Sequence, residues 1–251
     1  MTVYFIGAGP GAADLITVRG QRLLTRCPVC LYAGSIMPED LLALCPSDAR
    51  VVDTGPLTLG QIVDELTEAH AAGLDVARLH SGDPSLYSAL AEQCRRLDER
   101  GVDWEVVPGV PAFAAAAAAL GRELTVPGVA QTVTLSRVST LSTAMPDGED
   151  LRTLSAPGAT LVLHLAAAQI EAIVPELVAG GYLAETPCAV VAFASWPQET
   201  VIRCTLADVA ERMKAEGVTR TAVIVVGDVL AAEGFTDSYL YSTGRRRGSR
   251  H

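Results

Sequence analysis

The chain has 251 residues, of which 49% are hydrophobic and 19% are charged, so it can bury a core and does not belong to the disordered class. Its 19 basic residues stand against 29 acidic ones, which gives a formal net charge of −10. This charge excludes broad electrostatic binding to nucleic acid, and we expect no nucleic-acid partner. An anionic ligand is still compatible with it, because such a ligand needs only a local group of arginines.

The sequence predicts neither a membrane span nor a secretory signal. The Ala-rich run Pro111–Leu120 is far shorter than the roughly 20 apolar residues that cross a bilayer. Residues 1–18 contain no Lys or Arg, so the positively charged start of a secretory signal is missing. We therefore expect a cytoplasmic protein with no membrane partner.

Six cysteines are present, and we expect them to be reduced core residues in a chain with no export signal. Cys27 and Cys30 have the spacing of a redox pair or of half a zinc site. A structural zinc site would need two more ligands at matching spacing, and the four histidines are scattered along the chain. The sequence therefore predicts no metal site.

In the first part of the chain, short apolar runs alternate with helical patterns. The predicted strands are Val3–Ile6, Val29–Tyr32, Arg50–Asp53, Asp75–His80 and Val102–Val107. The predicted helices are Leu15–Leu24, Ile62–Ala72 and Ser85–Glu99. Thr58 and Gln61 have the spacing of a capping box ahead of the second of these helices.

The second part of the chain repeats this alternation. Its predicted strands are Thr132–Leu135, Thr160–Leu165, Ala189–Phe193 and Thr221–Val226, and its predicted helices are Gln169–Ala179 and Leu206–Glu216. The alternation indicates an α/β protein with mostly parallel sheets. We expect two α/β domains, 1–112 and 113–251, with Ala112–Ala119 joining them and a disordered basic tail at 244–251.

Three glycine-containing corners follow predicted strands. The first, Gly7–Ala12, superficially matches the dinucleotide fingerprint. Two features oppose that interpretation, because Pro10 lacks the N–H that a pyrophosphate would bind and no ribose-binding acid follows about 20 residues later. The corner is either a tight turn or a ligand loop, and we favour the ligand loop because open α/β sheets bind ligands at this edge.

The other two corners are Ser81–Tyr87 and Pro108–Ala112. Asp83 in the first of them can accept hydrogen bonds from a ligand ribose or amine. It can also cap a helix that begins near Pro84, and both roles are compatible.

Taken together, the corners GAGPGAADLIT, SGDPSLY and PGVPAF, in this order before an Ala-rich helix, resemble the tetrapyrrole methylase family. The resemblance extends from Val3 to about Tyr241. It implies an S-adenosylmethionine-dependent methyltransferase with two α/β domains and an active-site cleft between them. Three further motifs are similar to the branch that methylates C11 of precorrin-4, namely Tyr32–Ser35, His80–Tyr87 and Glu123–Pro127 followed by Gln131–Thr134.

The resemblance implies C-methylation of precorrin-4 to precorrin-5 in cobalamin biosynthesis, with S-adenosylmethionine as co-substrate, S-adenosylhomocysteine as product and a homodimeric protein. The alternatives within the family are cobalt-precorrin-4 or another ring position as the target. Outside it, a nicotinamide- or flavin-dependent reductase built on Gly7–Ala12 and a ligand-binding protein without turnover stay open.

The resemblance also implies site residues. It places at the methyl donor Pro10, Ser81, Gly82, Asp83, Leu86, Pro111, Ala112, Leu163, His164, Ala192, Thr221 and Ala222. It places at the tetrapyrrole Gly7, Gly9, Gly11 and Arg137, the last preferred over Arg19 and Arg122 because it ends a predicted strand. The residues Val138–Thr143 replace the Gly-Arg-Thr that often follows this arginine in the branch. No triad or carboxylate pair is present, and the sequence assigns no catalytic side chain. Asp83 and His80 lie near the expected cleft, and we favour a structural or ligand-holding role over that of a base for both, with Asp83 the catalytic candidate if there is one.

Overall fold

The computed structural model describes residues 1–139 and 144–238. By their contacts these residues form two compact units. The first unit contains Met1–Ala115 together with the short segment Phe193–Pro197, and the second contains the rest of the described chain. The predicted disordered tail, 244–251, lies outside the described residues.

The first unit is built on a parallel sheet. Its strands are β1 (Val3–Gly7), β2 (Val29–Tyr32), β3 (Arg50–Asp53), β4 (Val76–His80) and β5 (Trp104–Val107), in the order β3-β2-β4-β1-β5. Its helices are α1 (Val18–Leu24), α2 (Glu39–Leu42), α3 (Leu59–Ala71) and α4 (Leu90–Asp98). Every residue of β4 is buried, as expected for a central strand whose two faces are both covered. Helix α3 begins with the predicted capping box of Thr58 and Gln61.

Helix α5 (Ala112–Leu120) contains the point at which the first unit ends and the second begins. The strands of the second unit are β6 (Val133–Arg137), β7 (Thr160–His164), β8 (Pro187–Ala192), β9 (Thr200–Thr205) and β10 (Ala222–Val226), in the order β6-β7-β10-β8-β9. Its helices are α6 (Leu151–Leu154), α7 (Ile170–Ala179) and α8 (Val209–Ala215). Short 3₁₀ turns lie at Ala13–Leu15, Gly34–Ile36, Ala167–Gln169 and Asp228–Leu230.

The predicted α/β class with mostly parallel pairing is confirmed, because five of the eight strand pairings in the described residues are parallel. The three antiparallel pairings all lie in the second sheet, where β10 runs against β7 and β8, and β8 runs against β9.

The sequence prediction missed β9. This edge strand is buried on one face only, with Ile202 buried between exposed Val201 and Arg203.

The helix predicted over Ser85–Glu99 is too long at its start, since α4 begins at Leu90. The Asp-Pro pair that was interpreted as a helix start instead opens a loop in which Tyr87 and Ala89 have left-handed backbones, with φ of 53° and 55°. Such a conformation cannot continue into a right-handed helix.

The six cysteines all lie in the described residues and are free thiols. Within residues 1–139 and 144–238, no helix is both long and apolar enough to cross a membrane.

Candidate active site

The three predicted corners are neighbours in the first unit. Strands β4, β1 and β5 are adjacent and parallel, so their carboxyl ends lie at one edge of the sheet. Gly7 ends β1, Ser81 follows β4, and Pro108 follows β5. This is the edge at which open parallel sheets bind their ligands.

Three glycines allow the corners to approach one another closely. A Cβ on Gly7 would lie 2.5 Å from the Cα of Gly109, and a Cβ on Gly109 would lie 2.2 Å from the carbonyl oxygen of Gly82. No side chain fits at distances this short, because the neighbouring atoms belong to the backbone. The main chains of the three corners are therefore packed directly against each other.

Backbone hydrogen bonds join the first two corners. The Gly82 N–H donates to the Gly9 carbonyl at 2.7 Å, and the Gly9 N–H donates to the Gly82 carbonyl at 3.2 Å. The Ala8 N–H donates to the His80 carbonyl at 2.8 Å, which extends the β1–β4 ladder by one step. Main-chain pairing thus occupies the N–H groups of Ala8 and Gly9, which a phosphate-binding loop would leave open to its ligand.

Asp83 joins the second corner to the third. One carboxylate oxygen accepts the Gly109 N–H at 2.7 Å, and the other accepts the Ser85 N–H at 2.8 Å and the Ser85 hydroxyl. Burial raises the pKa of Asp83, but these hydrogen bonds from Ser85 and Gly109 outweigh it and lower the pKa below its usual value. A carboxylate with this pKa and these partners is suited to holding structure and is a poor proton acceptor at neutral pH.

The segment Phe193–Pro197 covers the glycine loop. The Trp196 indole N–H donates to the Pro10 carbonyl at 3.0 Å, and the Ser195 hydroxyl accepts the Ala12 N–H at 2.9 Å. A Cβ on Gly11 would lie 2.3 Å from the Trp196 ring. Glycine at position 11 is therefore explained by the aromatic ring that lies on it.

The remaining predicted site residues share one edge of the second sheet. Arg137 and His164 are paired at the carboxyl ends of β6 and β7, and Ala192 at the end of β8 pairs with Ala222 at the start of β10. Leu163 precedes His164 on β7, and Thr221 precedes β10. The structure thus brings Arg137, Leu163, His164, Ala192, Thr221 and Ala222 to a common edge.

The backbone at this edge is strained. Leu165, directly after β7, and Thr221, directly before β10, both have left-handed conformations, with φ of 54° and 51°. Each such residue costs on the order of 1 kcal/mol or more, and strain of this kind clusters at functional sites. Leu165 was predicted as part of the strand, and its left-handed backbone ends β7 one residue earlier.

Arg137 holds the loop that follows its own strand. Its guanidinium donates to the carbonyls of Val138 at 3.1 Å and Ala144 at 3.2 Å.

Burial lowers the pKa of the neighbouring His164, so this imidazole is neutral at physiological pH. Part of the motif that replaces the branch pattern, residues 140–143, lies outside the described residues.

Comparison with known proteins identifies the family. The sequence model of the tetrapyrrole (corrin/porphyrin) methylases matches residues 2–210. The chain belongs to this family. It is 77% identical over 98% of both chains to the precorrin-4 C(11)-methyltransferase of Mycobacterium tuberculosis (strain CDC 1551 / Oshkosh).

Two solved structures of tetrapyrrole methylases are also similar. A cobalt precorrin-4 methyltransferase of cobalamin biosynthesis superposes with a TM-score of 0.88 at 38% identity, over 91% of this chain and 95% of the other. The uroporphyrin-III C-methyltransferase of Thermus thermophilus, in complex with S-adenosylhomocysteine, gives a TM-score of 0.76 at 31% identity, over 92% and 93%. The predicted family and α/β fold class are therefore confirmed.

Three residues of this tetrapyrrole methylase that contact the corners or the loops beside them were not predicted from sequence. Ser195 and Trp196 reach the glycine loop from a position nearly 190 residues away in the chain, which no local pattern reveals. Arg78 is buried in the middle of β4. A charged residue in the middle of a buried strand was the one available signal for it. In the described part of the chain, no group of three or more His, Cys, Asp or Glu could hold a metal ion.

Proposed function

We propose that this tetrapyrrole methylase transfers the methyl group of S-adenosylmethionine to C11 of precorrin-4, and gives precorrin-5 and S-adenosylhomocysteine in cobalamin biosynthesis. The observation that carries the proposal is the 77% identity, over 98% of both chains, to a relative named for this reaction. The three corners also support it. They pack against each other at the carboxyl edge of the first sheet, which is the edge at which open parallel sheets bind ligands.

The residues assigned to the methyl donor fit an adenosyl group. The second-unit edge is built from apolar and small residues, since Leu163 and Ala192 are buried and Ala222 is small and half-buried. Nucleosides are held in sites of this composition, with few polar side chains. In the first unit the donor residues are Pro10, Ser81, Gly82, Asp83, Leu86, Pro111 and Ala112, which all belong to the three corners.

The chemistry requires alignment more than proton transfer. When bound, S-adenosylmethionine supplies a methyl group on a positively charged sulfur, and the sulfur leaves as a neutral thioether when the new C–C bond forms. The ring carbon of a reduced pyrrole is electron-rich, so no strong base is needed for the displacement, and the methylated ring then releases one proton to solvent. Rigid corners that hold the reactants in line and exclude water supply the rate enhancement, for which effective molarities of about 10⁵ M or more are available. Asp83 serves this alignment by fixing the corners.

The tetrapyrrole would lie beside the glycine loop, whose residues Gly7–Gly11 are buried. Gly7 and Gly11 have no room for a side chain, and Gly9 has a left-handed backbone with φ of 81°. Arg137 is the proposed partner for a substrate carboxylate, in addition to the two carbonyls that it already binds.

We further propose that the protein is a homodimer and that it acts in the cytoplasm. Light scattering coupled to gel filtration tests the dimer by its molar mass.

A cobalt-containing substrate is the second candidate. The cobalt precorrin-4 methyltransferase structure supports it through its TM-score of 0.88. The identity to that enzyme is 38%, against 77% to the relative named for the metal-free substrate, and we therefore favour precorrin-4.

The test is methyl transfer by the purified protein, followed by mass spectrometry of the product. Precorrin-4 and cobalt-precorrin-4 are compared as substrates, and calorimetry measures S-adenosylhomocysteine binding with NAD(P)H in parallel. We expect precorrin-4 to gain the mass of one methylene and to react with a higher kcat/KM than cobalt-precorrin-4. We also expect saturable binding of S-adenosylhomocysteine. A higher kcat/KM with the cobalt form would favour the second candidate, and tight binding of NAD(P)H alone would contradict the proposal.

A further inference from the structure

Arg78 is a buried charge on the central strand of the first sheet. Its side chain lies on β4, and the residue is only 5% exposed. Within residues 1–139 and 144–238, no carboxylate oxygen lies within ion-pair distance of its guanidinium. Burial lowers the pKa of Arg78 to about 10, so the group is still charged at neutral pH. A buried charge without an acidic partner is unfavourable for stability, so its presence calls for another explanation.

The guanidinium bridges two neighbouring polar side chains. Its Nε donates to the Gln93 side-chain oxygen at 3.2 Å, and its Nη1 donates to the Thr54 hydroxyl at 3.2 Å. The Nη1 also approaches the Leu79 carbonyl at 3.4 Å. The planar fork of an arginine suits this arrangement, because its donors point in fixed and different directions.

Each of these two side chains in turn holds a loop at the carboxyl edge. The Thr54 hydroxyl donates to the Tyr32 carbonyl at 3.0 Å, and the Thr54 N–H donates to the same oxygen at 2.7 Å. The Gln93 amide donates to the Ala89 carbonyl at 2.9 Å. Tyr32 ends β2, Thr54 follows β3, and Ala89 ends the loop after β4. One guanidinium therefore connects the segments that leave three adjacent strands.

The loop after β4 needs such support. Tyr87 and Ala89 are left-handed, and Ala89, which precedes α4, provides no side-chain cap for the helix. Left-handed conformations of non-glycine residues persist only where the surroundings enforce them. The bond from Gln93 to the Ala89 carbonyl is one of these constraints, and Arg78 fixes the orientation of Gln93.

We propose that Arg78 is a positioning residue for methyl transfer, which acts through Thr54 and Gln93 to fix the loops that follow β2, β3 and β4. This inference rests on the proposed function, because these loops adjoin the SGDPSLY corner assigned to the methyl donor. Arg78 contacts no reactant in this role.

The first test compares Arg78→Met, Arg78→Lys and Arg95→Met with the unmodified protein. Met keeps the apolar stem, Lys keeps the charge without the fork, and Arg95 is the matched control, since its guanidinium pairs with Glu99 on the exposed side of α4. We expect Arg78→Met to lower kcat for precorrin-4 at least tenfold and Arg78→Lys to lower it less. The melting temperature should change by only about 4 °C, because a well-packed apolar group often replaces a buried charge without loss of stability. The Arg95→Met variant should retain full activity.

A double-variant cycle tests the route of action. Thr54→Val breaks one arm of the bridge and should lower kcat on its own. In the Arg78→Met background it should lower kcat less than it does alone, because the bond from Arg78 is already lost and only the bond from Thr54 to the Tyr32 carbonyl is still to be removed. Fully additive losses, or unchanged kcat in Arg78→Met, would overturn the proposal.

Hydrogen exchange separates this proposal from the proposed function, since it needs no substrate. In Arg78→Met, amides of residues 33–36, 54–57 and 85–90 should exchange at least tenfold faster, while those of β1 and β5 keep their protection. Unchanged exchange in these loops would overturn the positioning role whatever substrate the protein accepts. Faster loop exchange in a protein inactive on precorrin-4 would support the role and contradict the proposed function alone.

Discussion

The Asp83 carboxylate accepts the main-chain N–H of Gly109 at 2.7 Å, across the junction between the corners after β4 and β5. Its other oxygen accepts the N–H of Ser85 at 2.8 Å, so one side chain ties its own corner to the next. The two backbones are so close at this point that a Cβ on Gly109 would meet the Gly82 carbonyl. The site edge therefore depends on one charged acceptor and on the absence of side chains around it.

Replacing Asp83 by Asn should destabilise the protein. An amide offers one acceptor oxygen where the carboxylate offers two, so either Gly109 or Ser85 loses its partner. Hydrogen bonds to a charged group contribute about 1.5–3 kcal/mol, and we expect a loss of this order in urea-induced unfolding. Asp48→Asn, at an exposed turn, is the control and should leave the free energy of unfolding within about 0.5 kcal/mol. An unchanged midpoint for Asp83→Asn would show that the junction does not need the charge.

His80 should make the protein less stable in mild acid. Burial and the nearby charge of Arg78 lower the pKa of His80 from 6.5 to about 3, against the opposing effect of a hydrogen bond with the Ser88 backbone. Between these pH values the unfolded chain binds a proton that the folded chain does not, so stability falls as the pH drops from 6.5 towards 3. The loss should reach about 2 kcal/mol at pH 5, since one pKa unit corresponds to about 1.36 kcal/mol.

The measurement for His80 is the free energy of unfolding at pH 7 and pH 5. In His80→Gln the difference between the two pH values should shrink by the predicted amount, because the side chain no longer titrates. His70→Gln, on helix α3, is the matched control for the loss of a histidine elsewhere in the first unit. An equal acid sensitivity in His80→Gln would contradict the prediction.

Gly109→Ala should disrupt the edge of the first sheet. The new Cβ would lie 2.2 Å from the Gly82 carbonyl and 2.7 Å from the Gly7 Cα, and backbone atoms cannot move aside as a flexible side chain can. We expect a loss of about 3 kcal/mol or more, visible as a lower melting temperature. Gly60→Ala is the control, because a Cβ at this first-turn position of α3 would meet nothing closer than 3.8 Å. That change should be neutral or stabilising by up to about 1 kcal/mol, and similar losses in both variants would argue against the packing explanation.

The sequence was sufficient for the parts of this fold that depend on local patterns. Apolar runs located the strands that carry the three corners, and the spacing of Thr58 and Gln61 located the start of α3. Each of these signals is contained within a few consecutive residues. It was insufficient where a contact spans the chain. The Asp-Pro pair at Asp83 is a common helix start, yet the Asp83 side chain reaches Gly109 and the chain continues as a loop to Ala89.

The candidate site shows the same division. Its glycines were recognised as a group, but the reason for glycine at position 11 is Trp196, which approaches from a distant part of the sequence. The half-exposed edge strand β9 was missed because its pattern is weak. Arg78 was missed as a site feature because a single charged residue in a strand does not reveal its partners.

The contact between Gly11 and Trp196 can be tested by a compensating pair. Gly11→Ala alone should lower stability by about 1–3 kcal/mol, because its Cβ would lie 2.3 Å from the indole ring. Combined with Trp196→Ala, the same change should cost much less than it does alone, since the ring is gone and only the Ser195 hydroxyl, 2.8 Å from the new Cβ, is still close. Trp104→Ala is the control partner, because the Trp104 indole donates to Asp98 and not to the glycine loop. Additive losses in the Gly11→Ala/Trp196→Ala variant would contradict the contact.

The cysteines should react with iodoacetamide in a fixed order at pH 8, because the thiolate is the nucleophile. A hydrogen bond from Cys30 lowers the pKa of Cys45, and one from Cys188, its cross-strand partner on β8, lowers the pKa of Cys204. The two donor thiols are held protonated by these bonds and by burial.

Burial also raises the pKa of Cys27 to about 12 and that of Cys94 to about 11, so neither thiol should compete at pH 8. Peptide mapping by mass spectrometry should therefore find Cys45 and Cys204 modified at least tenfold faster than the other four. In denaturant, all six should react at similar rates, because both the hydrogen bonds and the burial are lost. Early modification of Cys27 or Cys30 in the folded protein would show that the first unit opens locally faster than its packing indicates, since both thiols are fully buried.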